Sequence, residues 1–153
     1  MNEEYLKLLI TAMIPIGELR AAIPLGLTIY NLNFFETFLI SVLGNMVPIT
    51  LIIFLLNPIS KLLSKHSQFF RWFFHWLFER TRRKHSKKFE VLEEIALVSF
   101  VAIPLPMTGA WTGALASFVF GIPPKKALPL IFLGVLIAGV IVTLLTVGVK
   151  LFI

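Results

Sequence analysis

Four long apolar regions, separated by short polar or charged interruptions, dominate the chain. The first runs from Leu8 to about Leu32 and is interrupted by Glu18 and Arg20. The second runs from Phe34 to Leu56, with Glu36 near its start. The third, Ile95 to Pro124, and the fourth, Ala127 to Val149, carry no charged residue. Stretches of this length and character read as membrane segments, since roughly 20 apolar residues are needed to cross a bilayer as a helix. The second and fourth regions fit uninterrupted transmembrane helices. Ser41 and Gly44 in one, and Gly134, Ala138 and Gly139 in the other, are small enough to let neighbouring helices approach closely.

The first and third regions have a different pattern. Pro15, Gly17, Pro24 and Gly26 punctuate the first; Pro104, Pro106, Gly109 and Gly113 punctuate the third. Proline removes an amide donor and clashes with the preceding turn, so two prolines with glycines at one depth predict a break. Broken backbone at membrane depth persists only where protein buries it or it lines a wet cavity. Both regions are therefore expected to be re-entrant hairpins, entering and leaving on the same side. The lysines of Pro123-Pro124-Lys125-Lys126 support this for the third region. A hairpin returns them to the side of the chain's main basic block, as the positive-inside bias prefers.

The two halves also resemble each other. Pro15 precedes Gly44 by the same spacing, within one residue, that Pro104 precedes Gly134. Each predicted hairpin is followed by one predicted span. One crossing helix separates the hairpins, so they enter from opposite faces. This is an inverted repeat, a transporter plan that places the site at the midplane between broken helices. The expected fold is all-α and integral to the membrane. Residues 5–57 form the first repeat, with hairpin 5–32 and helix 34–57. Residues 91–153 form the second, with hairpin 91–122 and helix 127–152. The basic segment 58–90 joins them.

Composition sharpens this picture. Only 14% of the 153 residues are charged and 58% are hydrophobic, against about a quarter charged in an ordinary soluble domain. Most of the fourteen Lys and Arg lie between Lys61 and Lys88, which makes 58–90 the expected cytoplasmic segment of a bacterial or archaeal cell-membrane protein. Within it, FFRWFFHWLF and the residues that follow place Arg71, His75, Glu79 and Arg82 on one helical stripe among Phe and Trp. That is the pattern of a helix lying in the headgroup layer. Arg82, Arg83 and Lys84 continue the positive surface towards membrane lipids. Nucleic acid is not an expected partner, because no folded domain presents the patch. The acidic start Met1-Asn2-Glu3-Glu4 lacks the basic region of a secretory signal.

Candidate chemistry is sparse. There is no Cys and no Asp, which removes disulfides, thiolate metal sites and a Ser-His-Asp triad. His66, His75 and His85 show no ligand spacing, so neither a metal nor a cofactor is expected, and an enzyme is disfavoured. The main signal is Glu18 and Arg20, since an ionisable residue at mid-bilayer is unfavourable by roughly 2.5–3.5 kcal/mol. Arg20 suits a phosphate or carboxylate through its planar fork, and Glu18 is the proton-carrier candidate. A purely structural pair that anchors the turn is the competing explanation. Thr108, Trp111 and Thr112 of the second break offer hydroxyls, an indole donor and free amides, or else simple packing. Asn45 is a buried polar group that reads as interhelical glue.

The motifs IPIGELRAAIPLG and IPLPMTGAWTGALASFVFG together resemble the family of small multidrug export proteins over nearly the whole chain. That family in turn is similar to the DedA membrane proteins. The resemblance implies two opposed re-entrant hairpins and movement of polyprenyl-phosphate or other lipids with proton coupling. Glu18 and Arg20 match the acidic residue and arginine at a hairpin; DedA proteins carry an arginine in the second hairpin as well, and this chain has none there. Three functions follow as expectations. The first is a proton-coupled carrier of an anionic, lipid-phosphate-like substrate. The second is an exporter of cationic drugs or other small molecules. The third is a membrane scaffold that transports nothing. Four short elements hardly enclose a pathway, so a homodimer is expected.

Overall fold

The computed structural model describes residues 3–82, 87–105 and 108–152, without the side chains of 77, 78, 80–82, 87 and 152. The described residues are helical apart from short connections. The helices are α1 (Glu3–Met13), α2 (Glu18–Pro24), α3 (Phe34–His66), α4 (Gln68–Arg82), α5 (Lys87–Ala102), α6 (Ala110–Val119) and α7 (Pro124–Phe152), with a π-helical turn, Leu25–Ile29, after α2. Of the predicted elements and residues, Pro106, Arg83 and Lys84 lie outside the described residues, and so does the side chain of Arg82.

Among the described residues, two helices are long and apolar enough to cross a membrane. Mean hydropathy reaches 2.4 in Phe34–His66 and 2.9 in Pro124–Leu151. Asn33 starts α3 by accepting the Phe35 amide at 2.9 Å, an N-cap that satisfies an otherwise orphaned donor. At 1.5 Å per residue α3 is about 50 Å long, more than the hydrocarbon core requires. It passes through Pro48 and Pro58 without ending and projects its last turns, with Lys61 and Lys65, beyond the apolar stretch. Its far end meets Ser67 in extended backbone, and α4 begins there.

The proline–glycine clusters break the remaining helices. After α1, the amides of Gly17 and Glu18 both close on the Ile14 carbonyl, at 3.2 and 2.9 Å. Glu18 sits at φ +48, an uncommon conformation for a residue other than glycine. Downstream, Pro24 has no amide to give, and the chain widens into the π turn, where Tyr30 N–H reaches back to the Leu25 carbonyl at 3.0 Å. In the second half, α5 stops at Ala102 and α6 starts at Ala110. At the far end of α6, Gly121 (φ +73) and Ile122 donate back to the Phe118 and Ser117 carbonyls. This is a Schellman motif; Pro123 follows it, and Pro124 opens α7 at the first helical position, where proline is tolerated.

Packing follows the same plan in both halves. The first arm of each broken element lies on the long helix of its own half, α1 on α3 and α5 on α7. The second arm touches both long helices, so α2 reaches α7 and α6 reaches α3. Small residues set the close approaches. A Cβ on Gly134 would come 2.7 Å from Val101 Cβ, and one on Gly44 would come 3.0 Å from Ala12 Cβ. The shared core joins Leu19 and Ile23 of α2 to Val42, Ile49 and Ile53 of α3, and to Val101, Ala114, Ile131 and Val135 of the second half. Outward faces are strongly apolar, with Leu51, Phe54, Leu144 and Leu151 among the exposed side chains. In α4, Phe69, Trp72 and Trp76 are exposed, while Phe74 meets Phe118 of α6 edge-on at 6.0 Å.

Candidate functional site: two helix breaks that meet

The cross-packing of α2 and α6 brings the two breaks together. Glu18 opens α2, yet its side chain is only 5% exposed. Its carboxylate lies at the start of α6, where the Trp111 amide donates to Oε1 at 3.2 Å and the Ala110 amide lies alongside. The first amides of a helix have no partner of their own and form its positive end, so the carboxylate caps α6 from a different element. Gly109 makes the approach possible. It adopts φ +133, and a Cβ there would collide with the Glu18 carboxylate, so only glycine fits both conformation and space.

Arg20 performs the complementary task one helix earlier. Pro104 interrupts the chain just past the end of α5, where carbonyls lack helical donors. The Arg20 guanidinium donates from Nη1 to the Leu105 carbonyl, from Nη2 to the Ile103 carbonyl at 3.2 Å, and from Nη2 to Thr108 Oγ1 at 3.1 Å. The Thr108 hydroxyl in turn lies 2.9 Å from the Ile103 carbonyl and 2.8 Å from that of Leu105. A cation therefore sits at the negative end of α5 and an anion at the positive end of α6. Both charges come from the first break. The second break contributes polarity through its backbone, which is why it needs no charged side chain of its own.

Glu18, Arg20, Thr108, Gly109 and Trp111 thus converge. Pro15 and Gly17 form the turn that leads into Glu18, and a Cβ on Gly17 would meet the Thr11 carbonyl at 2.9 Å. Thr112 bonds back to the Gly109 carbonyl at 3.2 Å, and Gly113 packs on Val101. Asn45 is fully buried on α3 and neither of its amide atoms has a protein partner. The same holds for Thr37 Oγ1 and Ser41 Oγ, two turns and one turn earlier on that helix face. Arg71 and His75 stand apart on α4, where Arg71 Nε donates to the Ser64 carbonyl at 3.2 Å across the α3–α4 joint. No cluster of three potential metal ligands occurs among the described residues.

Beside the junction, a groove of about 680 Å³ runs between α2 with its π turn and α7. Val142, Leu145 and Val149 form its apolar wall, and Arg20 and Lys150 are its charged residues. Lys150 donates to the Leu27 carbonyl at 3.2 Å. The sequence reading missed this lysine. Its signal was present: a lone cation that ends the long uncharged run of the fourth region. A smaller hollow of about 380 Å³ lies between α1 and α3, where Tyr5 donates to Glu36 at 2.5 Å.

A family profile described as "Putative small multi-drug export protein" matches residues 18–141. The chain belongs to this family. No curated protein and no solved structure matches it. The family match begins at Glu18, just past Pro15 and Gly17, spans α2, the basic segment and the second break, and ends within α7. Together with the two apolar helices, it makes the chain a membrane protein of the small multi-drug export family.

Proposed function

We propose that this export-family protein is a small membrane transporter whose working site is the junction of its two broken helices. The observation that carries the reading is the exchange of caps: Glu18 on the α6 amides and Arg20 on the carbonyls after α5. Charges at membrane depth are rare and mark pathways or relays by default. Here they hold together two elements that have the form of discontinuous transporter helices. We read each as a re-entrant hairpin, the halves as an inverted repeat, and the active form as a homodimer in which residues 58–90 face the cytoplasm. A cysteine placed at position 3 is then labelled from the opposite side only; labelling from the cytoplasm refutes the hairpin.

Arg20 directs the substrate reading to an anion such as a lipid phosphate, with Glu18 as the group that takes up and releases a proton. The experiment is transport in proteoliposomes, wild type against Arg20→Ala, with a polyprenyl phosphate and a cationic dye offered in parallel. Phosphate movement that needs Arg20 supports the anion carrier. Dye efflux that needs Glu18 and survives loss of Arg20 supports a cationic-drug exporter instead, the alternative that the family name favours. A cellular phenotype retained in Glu18→Gln with no transport of either probe favours a scaffold. No step of covalent chemistry is assigned to the chain.

A further inference from the structure

The groove between Arg20 and Lys150 has a length, a polarity and an opening that define an occupant. Its α7 wall runs from Val142 to Lys150, about 12 Å at 1.5 Å per residue, and its opposite wall from Arg20 to Thr28 has the same length. On α7, Lys126 is tied to Glu94 of α5 at 3.3 Å, so Lys126 and Lys150 mark the two ends of that helix. Val142 lies about 24 Å from Lys126 along it. The groove therefore reaches from within the membrane, at the junction, to the membrane face opposite the Lys126 end.

Its chemistry has one sign. Arg20 and Lys150 stand at its two ends, no acidic residue lines it among the described residues, and the wall between them is aliphatic. The lining hydroxyls do not compete for a ligand's acceptors, because Thr28 and Thr146 already donate to the Pro24 and Val142 carbonyls of their own helices, at 2.7 and 2.8 Å. The cations retain donors. Arg20 uses three of its five N–H groups, and Nε is buried without a partner. Lys150 uses one of three.

We infer that this groove is a lateral portal for a single-headed anionic amphiphile, with Lys150 as the headgroup station at the membrane face and Arg20 as the station at the junction. The apolar tail lies along Val142, Leu145 and Val149, or extends into the surrounding lipid, while the anion passes from one cation to the other. The inference rests on the transporter reading and adds the route, the substrate's shape and a residue outside the family match.

The absence of native cysteine gives a clean test. Thr146→Cys places one thiol in the groove of the full-length protein, and maleimide labelling is timed with and without dodecyl phosphate. Dodecyl phosphate is expected to slow labelling, whereas dodecyltrimethylammonium and inorganic phosphate leave it unchanged. Adding Lys150→Met weakens the protection by about tenfold, the worth of one charge-assisted hydrogen bond, and Lys150→Arg restores it. Equal protection by the ammonium analogue, or protection indifferent to Lys150→Met, overturns the portal. The two readings fail separately. Arg20-dependent phosphate transport without groove protection removes the portal and keeps the transporter. Protection with no transport of the phosphate keeps an amphiphile site and removes the transporter.

Discussion

Gly109→Ala tests the meeting of the two breaks most sharply. Two separate penalties apply. The backbone at φ +133, ψ −171 lies where only glycine is comfortable, a strain of about 1–3 kcal/mol for another residue. The new methyl also overlaps the Glu18 carboxylate and drives it off the α6 amides. That forfeits a charge-assisted hydrogen bond of about 1.5–3 kcal/mol. The expected total is about 2.5–6 kcal/mol, read as the loss of unfolding free energy in mixed micelles titrated with SDS. A double-mutant cycle separates the terms. In a Glu18→Ala background the clash and the lost bond vanish and only the backbone strain remains, so Gly109→Ala should cost at least about 1.5 kcal/mol less there. Additivity within about 0.5 kcal/mol would refute the claim that Glu18 caps α6. Gly148→Ala is the internal control. Nothing lies within 4 Å of its added methyl, and a glycine in a helix interior is expected to gain up to about 1 kcal/mol from the change.

Other substitutions probe neighbouring features. Arg20→Lys keeps the charge but loses the fork that bridges the Ile103 and Leu105 carbonyls; it should lower stability by about 1–3 kcal/mol in the same titration and reduce any transport. Thr37→Val removes a buried hydroxyl that has no protein partner and is expected to raise stability by about 1 kcal/mol, because an unsatisfied polar group is replaced by an isostere. A drop instead would mean that the hydroxyl is bonded. Gly134→Val forces a branched side chain against Val101, which should destabilise by at least about 1–3 kcal/mol and separate α5 from α7. Lys126→Ala breaks a partly exposed ion pair with Glu94 and should change the unfolding free energy by less than about 1 kcal/mol.

Hydrophobic runs and helix breakers were enough to find α3, α7 and the two interruptions, because run length and proline chemistry act locally. The extension of α3 through Pro58 to His66 was not legible: the last turns are amphipathic, and nothing local separates a continuing helix from a new one. The π turn after Pro24 was hidden for a similar reason. Glu18 and Arg20 stood out as charges in an apolar run, but their partners did not. Those partners are mostly backbone amides and carbonyls 83 to 93 residues away, and a backbone group has no letter in the sequence. A reading confined to side chains weighs an ion pair between the two residues; the structure instead aims each at an end of the other broken element. Nothing local marks Lys150 as a partner of Leu27, although that contact joins α7 to the first break.

The exchange of caps has a consequence for how the protein is made. Glu18 and Arg20 leave the ribosome long before Ile103, Leu105 and Trp111 exist, so both charges lack these partners while the chain is half synthesised. The arrangement of the two breaks is complete only when α5 and α6 have been made. A chain cut between α4 and α5 would strand two charges in one fragment and two uncapped helix ends in the other. Each fragment would carry, unpaired, the same groups that, once brought together, join the two halves.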